Sequence, residues 1–200
     1  MAALDNLVFD NFTLADKQNT LNVRLFDGAI RFAVFPKERV PGNNKPLLSI
    51  SFDRKGQAYA GLMKVIDMAT KGPLGTKVPM TRTEYNIQTR QRTPQWTITI
   101  EKDSDMCYWI TLTVVKTNAS FRFPIIASQS YTIGNEPASK AEYSALGLNM
   151  LVTWLKLAQR YAPLTAEKPG ARGQGRPGFS GAPKVGQPAA QSVDPEDIPF

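Results

Sequence analysis

The segment LNVRLF-DG-AIRFAV, Leu21 to Val34, restricts the fold more than any other stretch of the chain. Asp-Gly is the favoured pair for a two-residue type I′ turn, because the turn needs positive φ and its twist matches that of the flanking strands. With Asp27 and Gly28 as the turn, Phe26 pairs with Ala29, Leu25 with Ile30, Arg24 with Arg31 and Val23 with Phe32. The two-residue period of a strand then puts Leu21, Val23, Leu25, Ile30, Phe32 and Val34 on one apolar face. Asn22, Arg24, Phe26, Arg31, Ala33 and Phe35 occupy the other. Two arginines directly opposite one another repel. Beside exposed phenylalanines they suit a face that receives phosphates and bases. The alternatives are that each pairs with an acid elsewhere, or that the register differs.

Further strand signals follow. KPLLSISFD reads as a strand. QAYAGLMKVIDMATKGP changes to helical period, with Tyr59, Leu62, Met63, Ile66 and Ala69 in one stripe, closed by Gly72 and Pro73. RTEYNIQTR, QWTITIEKD, CYWITLTVVK and ASFRFPII read as four more strands. The third is apolar on both faces and therefore suits a central place. Pro124 marks the fourth as an edge or bulge. The last element is a helix opened by a capping box, Ser139 to Glu142. It carries one stripe of Tyr143, Leu146, Met150, Trp154, Leu157 and Tyr161. Leu148, Leu151, Val152 and Leu155 add a second apolar side. Pro163 is expected to end it, and so apolar a helix either lies under the sheet or makes an oligomer contact. The sum is an α+β fold, with antiparallel sheet of about seven to eight strands, two packed helices and a disordered C-terminal tail.

Composition narrows the chemistry. The chain has 200 residues, a formal charge of +7, one cysteine and no histidine. A Ser-His-Asp triad, a His-Cys zinc site and an intrachain disulfide are excluded. KGPLGTK lacks Walker A spacing and follows a helix, and Asp103 and Asp105 lie between strands where a turn is the simpler role. No enzyme, metal or cofactor is expected. The N-terminus lacks a signal-peptide pattern and no stretch is apolar enough to span a membrane, so a cytoplasmic setting is expected.

From Pro163 onward the sequence turns rich in proline and glycine and poor in large apolar residues. Such a segment cannot bury enough surface to offset its ordering entropy. Its four basic residues, Lys168, Arg172, Arg176 and Lys184, balance four acids, so the positive charge belongs to residues 1–162. The expected organisation is a binding domain at 1–162, a linker at 163–193 and an acidic tip at 194–200.

Within the body, aromatic residues interleave with cations, and TRQRTPQW reads as a basic loop between two strands. Cations for phosphates with rings for unstacked bases are the means of binding single strands. Arg24, Arg31, Arg82, Arg90, Arg92, Lys116 and Arg122 are the candidate phosphate contacts. Phe26, Phe35 and Tyr108 are stacking candidates, and Trp96 suits either stacking or the core.

The terminal DPEDIPF resembles the C-terminal tip of bacterial and phage single-stranded DNA-binding proteins (SSBs), with Asp194, Glu196 and Asp197 ahead of Ile198, Pro199 and Phe200. The resemblance implies that Pro199 and Phe200 dock in partner pockets, supported by the acids, and that the tail competes with DNA for the basic face. Pro195 interrupts the acidic run, which is shorter than usual for that family. If Leu7–Phe12 adds a strand, the body becomes two ββββα units. That order is similar to Whirly and related transcription-coactivator single-strand binders, which implies sheets that carry DNA and helices that pack or oligomerise. The combination also resembles small phage single-strand binders that recruit the phage RNA polymerase to melted promoters. These resemblances imply single-stranded DNA, replication, repair or RNA polymerase proteins and a homo-oligomer as partners. The other functions considered are an interaction protein that occupies SSB-partner pockets and an RNA chaperone.

Overall fold

The computed structural model describes residues 11–26, 28–38, 45–52, 56–127, 132–133 and 136–165. Asp27, most of the linker and the whole acidic tip lie outside the described residues. The element order is β1 (Phe12–Ala15), β2 (Asn19–Phe26), β3 (Ala29–Pro36), β4 (Leu48–Ser51), α1 (Gln57–Lys71), β5 (Lys77–Asn86), β6 (Gln91–Lys102), β7 (Tyr108–Val114), β8 (Ala119–Ile125), β9 (Thr132–Ile133), β10 (Glu136–Pro137) and α2 (Lys140–Thr165). The β1–β4 and β5–β8 strands form two antiparallel four-stranded meanders, and β9 pairs with β10. The fold is therefore α+β, with the ββββα order present twice.

The hairpin register is the one expected from Asp-Gly: Phe26 faces Ala29, Leu25 faces Ile30, Arg24 faces Arg31 and Val23 faces Phe32. Leu21, Val23, Ile30, Phe32 and Val34 are buried, as are Leu48 and Ile50 of β4. In the second sheet the same alternation buries Ile98, Ile100, Ile110, Leu112, Phe123 and Ile125. β7 is central and β8, with Pro124, is an edge. The inner faces share one core with the helices. Phe52, just after β4, links the sheets: its ring is 5.1 Å from Phe32 and stacks on Trp96 of β6 at 5.9 Å.

Helix α1 packs on β5 and β6, burying Leu62, Val65, Ile66 and Ala69. Gly72 caps it, donating its N–H to the Met68 carbonyl. Helix α2 starts with the expected capping box: Glu142 accepts from the Ser139 N–H at 2.7 Å, and the Glu142 N–H donates to Ser139 Oγ at 3.3 Å.

The first described strand is Phe12–Ala15; of the strand expected at Leu7–Phe12, residues 7–10 lie outside the described residues. Three local expectations are corrected. TRQRTPQW is not a loop, because Gln91–Trp96 is the first half of β6 and the turn lies at 87–90. Asn86 makes that turn by accepting the Gln88 and Thr89 N–H groups on its side-chain oxygen. Helix α2 passes Pro163 and ends at Thr165. A proline in the final turn removes one backbone hydrogen bond and spares the rest of the helix. Finally, the buried face of α2 is Ser144, Leu148, Leu151, Leu155, Ala158 and Ala162, while Met150 and Leu157 of the longer stripe are exposed. Small residues decide this choice. Ser144 accepts the Tyr108 N–H and donates to the Ile125 carbonyl, both at 2.7 Å. A Cβ on Gly147 would lie 2.7 Å from the Ile126 carbonyl carbon. At Ser144 and Gly147 the helix backbone thus lies close to the end of β8 and the residues just after it.

Candidate nucleic-acid interface

The outer face of the first sheet carries a row of small polar side chains. Thr13, Asn22 and Ser49 alternate with Ala33 across the strands, and Thr13 Oγ1 lies 3.3 Å from Asn22 Oδ1. One end of this row is basic. The guanidinium carbons of Arg31 and Arg24 lie 4.1 and 5.5 Å from the centroid of the Phe26 ring. The expected repulsion between the paired arginines is eased by this shared ring, since both cations meet its negative face. Arg31 Nε donates to Ser51 Oγ at 3.1 Å. Arg24 Nε is buried and has no hydrogen-bond partner. Among the described residues neither arginine pairs with an acid. The Arg24 Nε–H is thus a charged, desolvated donor without a partner, set beside the Arg31 guanidinium.

The outer face of the second sheet is a threonine ladder. Thr81 meets Thr97 and Thr113 meets Ser120 through hydroxyl hydrogen bonds of 2.9 Å. Arg122 lies 4.0 Å above the Trp109 ring and reaches Glu101 at 3.0 Å, and Glu101 also accepts Lys77 at 3.1 Å. Arg122 is thus partly neutralised. Lys116 stands in an exposed 3-10 turn, Val115–Thr117, after β7.

Trp109 is held from its other end by Asp103, whose Oδ2 accepts the indole N–H at 2.7 Å while Oδ1 accepts the Asp105 and Cys107 N–H groups. Burial works against ionising Asp103, but the hydrogen bonds from Trp109, Cys107 and Asp105, with the Lys140 charge, outweigh it and hold its pKa below the usual value of 3.8. Asp103 is therefore the turn residue anticipated. Cys107 is buried, and burial followed by the Asp103 charge pushes its thiol up, away from reactivity.

The remaining predicted residues separate into two groups. Phe35, Trp96 and Tyr108 are 8, 7 and 9% exposed, so they do not offer open faces for stacking. Trp96 stacks on Phe52, and Tyr108 lies on the inward face of β7 with Ile110 and Leu112, where burial raises its phenol pKa. Phe35 lies on the outer parity as expected but is covered there. Phe26, at 48%, is the ring of the four that solvent reaches. Arg82, Arg90 and Arg92 lie away from the strand faces just described, on a ribbon formed by the distal halves of β5 and β6. Two residues outside the candidate set belong with the cations: Trp109 under Arg122, and Tyr85 opposite Arg92. The alternation Trp109–Thr111–Thr113 signalled the first. Nothing in the local pattern signalled the second.

No family model matches the chain, and no curated protein matches it. Solved structures of similar arrangement include MRP1/MRP2 of Trypanosoma brucei, at 10% identity and a TM-score of 0.40, covering 76% of this chain and 86% of that one. WHY1 of Arabidopsis thaliana aligns at 12% identity and 0.37, covering 77% and 89%. The plant transcriptional regulator PBF-2 aligns at 12% and 0.35, covering 80% and 98%.

Proposed function

We propose that this protein binds single-stranded DNA on the outer faces of its sheets, without catalysis, in a cytoplasmic setting. The observation that carries the reading is the Arg24–Phe26–Arg31 cluster: two cations at one exposed ring, with one buried guanidinium N–H lacking a partner. A phosphate would satisfy Arg24, and an unstacked base would take the ring face as Arg31 turns toward the backbone. Duplex DNA supplies the phosphate but not the base face. The hydroxyl rows beside the cluster add neutral hydrogen bonds to the backbone, a mode with little sequence preference. Formal charge +7 and a pI near 9.6 support an anionic partner.

In this reading the protein is an SSB-like factor, phage-encoded, that coats or holds open single strands. Its acidic tip, with Pro199 and Phe200, recruits replication or repair proteins, or RNA polymerase at melted promoters, and restrains the basic face. Met150 and Leu157, exposed on α2, would serve a homo-oligomer.

The test is fluorescence anisotropy with labelled oligo-dT and a duplex of equal length, using full-length protein and a truncation after Val193. Tight single-strand binding that strengthens on truncation is the expected result. Equal affinity for duplex and single strand would falsify the reading.

A further inference from the structure

The β5–β6 hairpin outgrows the sheet it belongs to. From Thr81 to Pro94 every residue is exposed, on both faces of both strands and through the turn. The sheet supports β5 up to Met80, which packs toward the core, and supports β6 from Trp96. Between them the register shifts at Arg82/Thr83, and a bulge there bends the ribbon and increases its twist. Beyond it Thr83 pairs with Pro94, Glu84 with Thr93, Tyr85 with Arg92 and Asn86 with Gln91. The free ribbon therefore extends about 14 Å from Arg82 to Asn86 at about 3.4 Å per residue.

Two-stranded ribbons without a packed face are marginal in water. A chain that keeps one this long, with no apolar face to bury, has a surface suited to a partner rather than to its own core. The side chains define the partner. Arg82, Arg90 and Arg92 stand against Glu84 alone. The tip carries Ile87, 82% exposed, and Arg90 holds a left-handed φ of 53° where the chain turns back into β6. A basic ribbon with an apolar point matches duplex DNA, whose major groove, about 12 Å wide and 8.5 Å deep, admits two antiparallel strands. Minor-groove binders wedge apolar side chains between base steps, and an isoleucine at a ribbon tip offers the same contact to a terminal base pair.

We propose that the β5–β6 ribbon is a second DNA site, which engages duplex bordering the single strand held by the sheets, with Ile87 set against the last paired bases. This rests on the single-strand reading above but adds a different ligand, the single-strand/duplex junction. It also moves Arg82, Arg90 and Arg92 from single-strand contacts to duplex contacts.

The test compares wild-type protein with Ile87→Ser/Arg90→Ser/Arg92→Ser. Three substrates are used: oligo-dT, a hairpin duplex with a single-stranded overhang, and a blunt hairpin. Both hairpins carry 2-aminopurine at the terminal pair. Wild-type protein should bind the overhang substrate more tightly than oligo-dT and brighten the 2-aminopurine. The triple variant should keep its oligo-dT affinity, lose about tenfold on the overhang substrate, reduce its salt slope there by about two, and lose the brightening. Arg24→Ala/Arg31→Ala should show the reverse, weakening on oligo-dT and keeping the brightening on the blunt hairpin. If wild-type protein fails on oligo-dT but still brightens the blunt hairpin, the single-strand reading falls and the ribbon site stands. Equal losses on oligo-dT and the overhang substrate, or no brightening by wild-type protein, would overturn the ribbon site. So would a change in oligomeric state of the triple variant by light scattering, which would make the ribbon a contact between copies.

Discussion

Arg31 lies over the ring of Phe26, its guanidinium carbon 4.1 Å from the centroid, while its Nε is tied to Ser51 on the neighbouring strand. The ring is therefore covered in the free protein by a cation, which in the proposed binding mode turns to a phosphate. Replacing Phe26 by alanine should weaken oligo-dT binding by about 1–3 kcal/mol, the range for one stacked base. The thermal midpoint should move little, since the ring is half exposed. A large loss of stability with unchanged affinity would make Phe26 a packing residue.

Arg24→Ala/Arg31→Ala removes two candidate phosphate contacts. The slope of log affinity against log salt for single strands should fall by about 1.4, at about 0.7 per contact. An unchanged slope measured by anisotropy titration would remove this face from the site.

Trp96 bridges the sheets through its stack on Phe52. Trp96→Ala should cost about 3–5 kcal/mol in urea unfolding, the range for emptying a large aromatic site. Oligo-dT affinity of the folded fraction should stay near wild type. Affinity loss without destabilisation would return Trp96 to the DNA-binding set.

Ser144→Ala leaves the Tyr108 N–H and the Ile125 carbonyl without their partner in a buried place. The expected cost is about 1–3 kcal/mol, because the penalty is that of burying unpaired polar groups. Gly147→Ala should be destabilising too, since backbone atoms of Ile126 and Ala127 meet the new methyl. Gly61→Ala offers the contrast: its methyl meets the flexible end of Met80, and the gain in helix propensity of about 1 kcal/mol offsets part of that contact. Denaturation midpoints should rank Gly61→Ala above Gly147→Ala.

Asp103 has a folded pKa below its ordinary 3.8, so its contribution to stability is full above that value and is lost as pH falls through the lower folded pKa. Asp103→Asn removes this dependence. The urea midpoints of the two proteins should differ at pH 7 and converge at pH near the folded pKa. A gap that stays constant with pH would assign the difference to shape rather than charge.

Local chemistry carries the strands and the helix caps. The Asp-Gly pair sets the β2–β3 register because the turn and the period-two burial agree, and a slip of one residue would turn Val23 and Phe32 to solvent. Ser139 and Glu142 start α2 because both partners of the capping box lie within one turn. The cation–ring cluster followed from that register alone, since Arg24, Phe26 and Arg31 share one face of one hairpin. Tertiary structure decided what period cannot. Both sides of α2 are apolar, and the close approach to β8 at Ser144 and Gly147 selects the buried one. Phe35 alternates as an exposed aromatic residue would, yet packing covers it, whereas Trp96 and Tyr108 share the inward parity of Ile98, Ile100, Ile110 and Leu112. The reach of β5 and β6 beyond the sheet depends on where α1 and the core stop supporting them, a distance that no local pattern encodes.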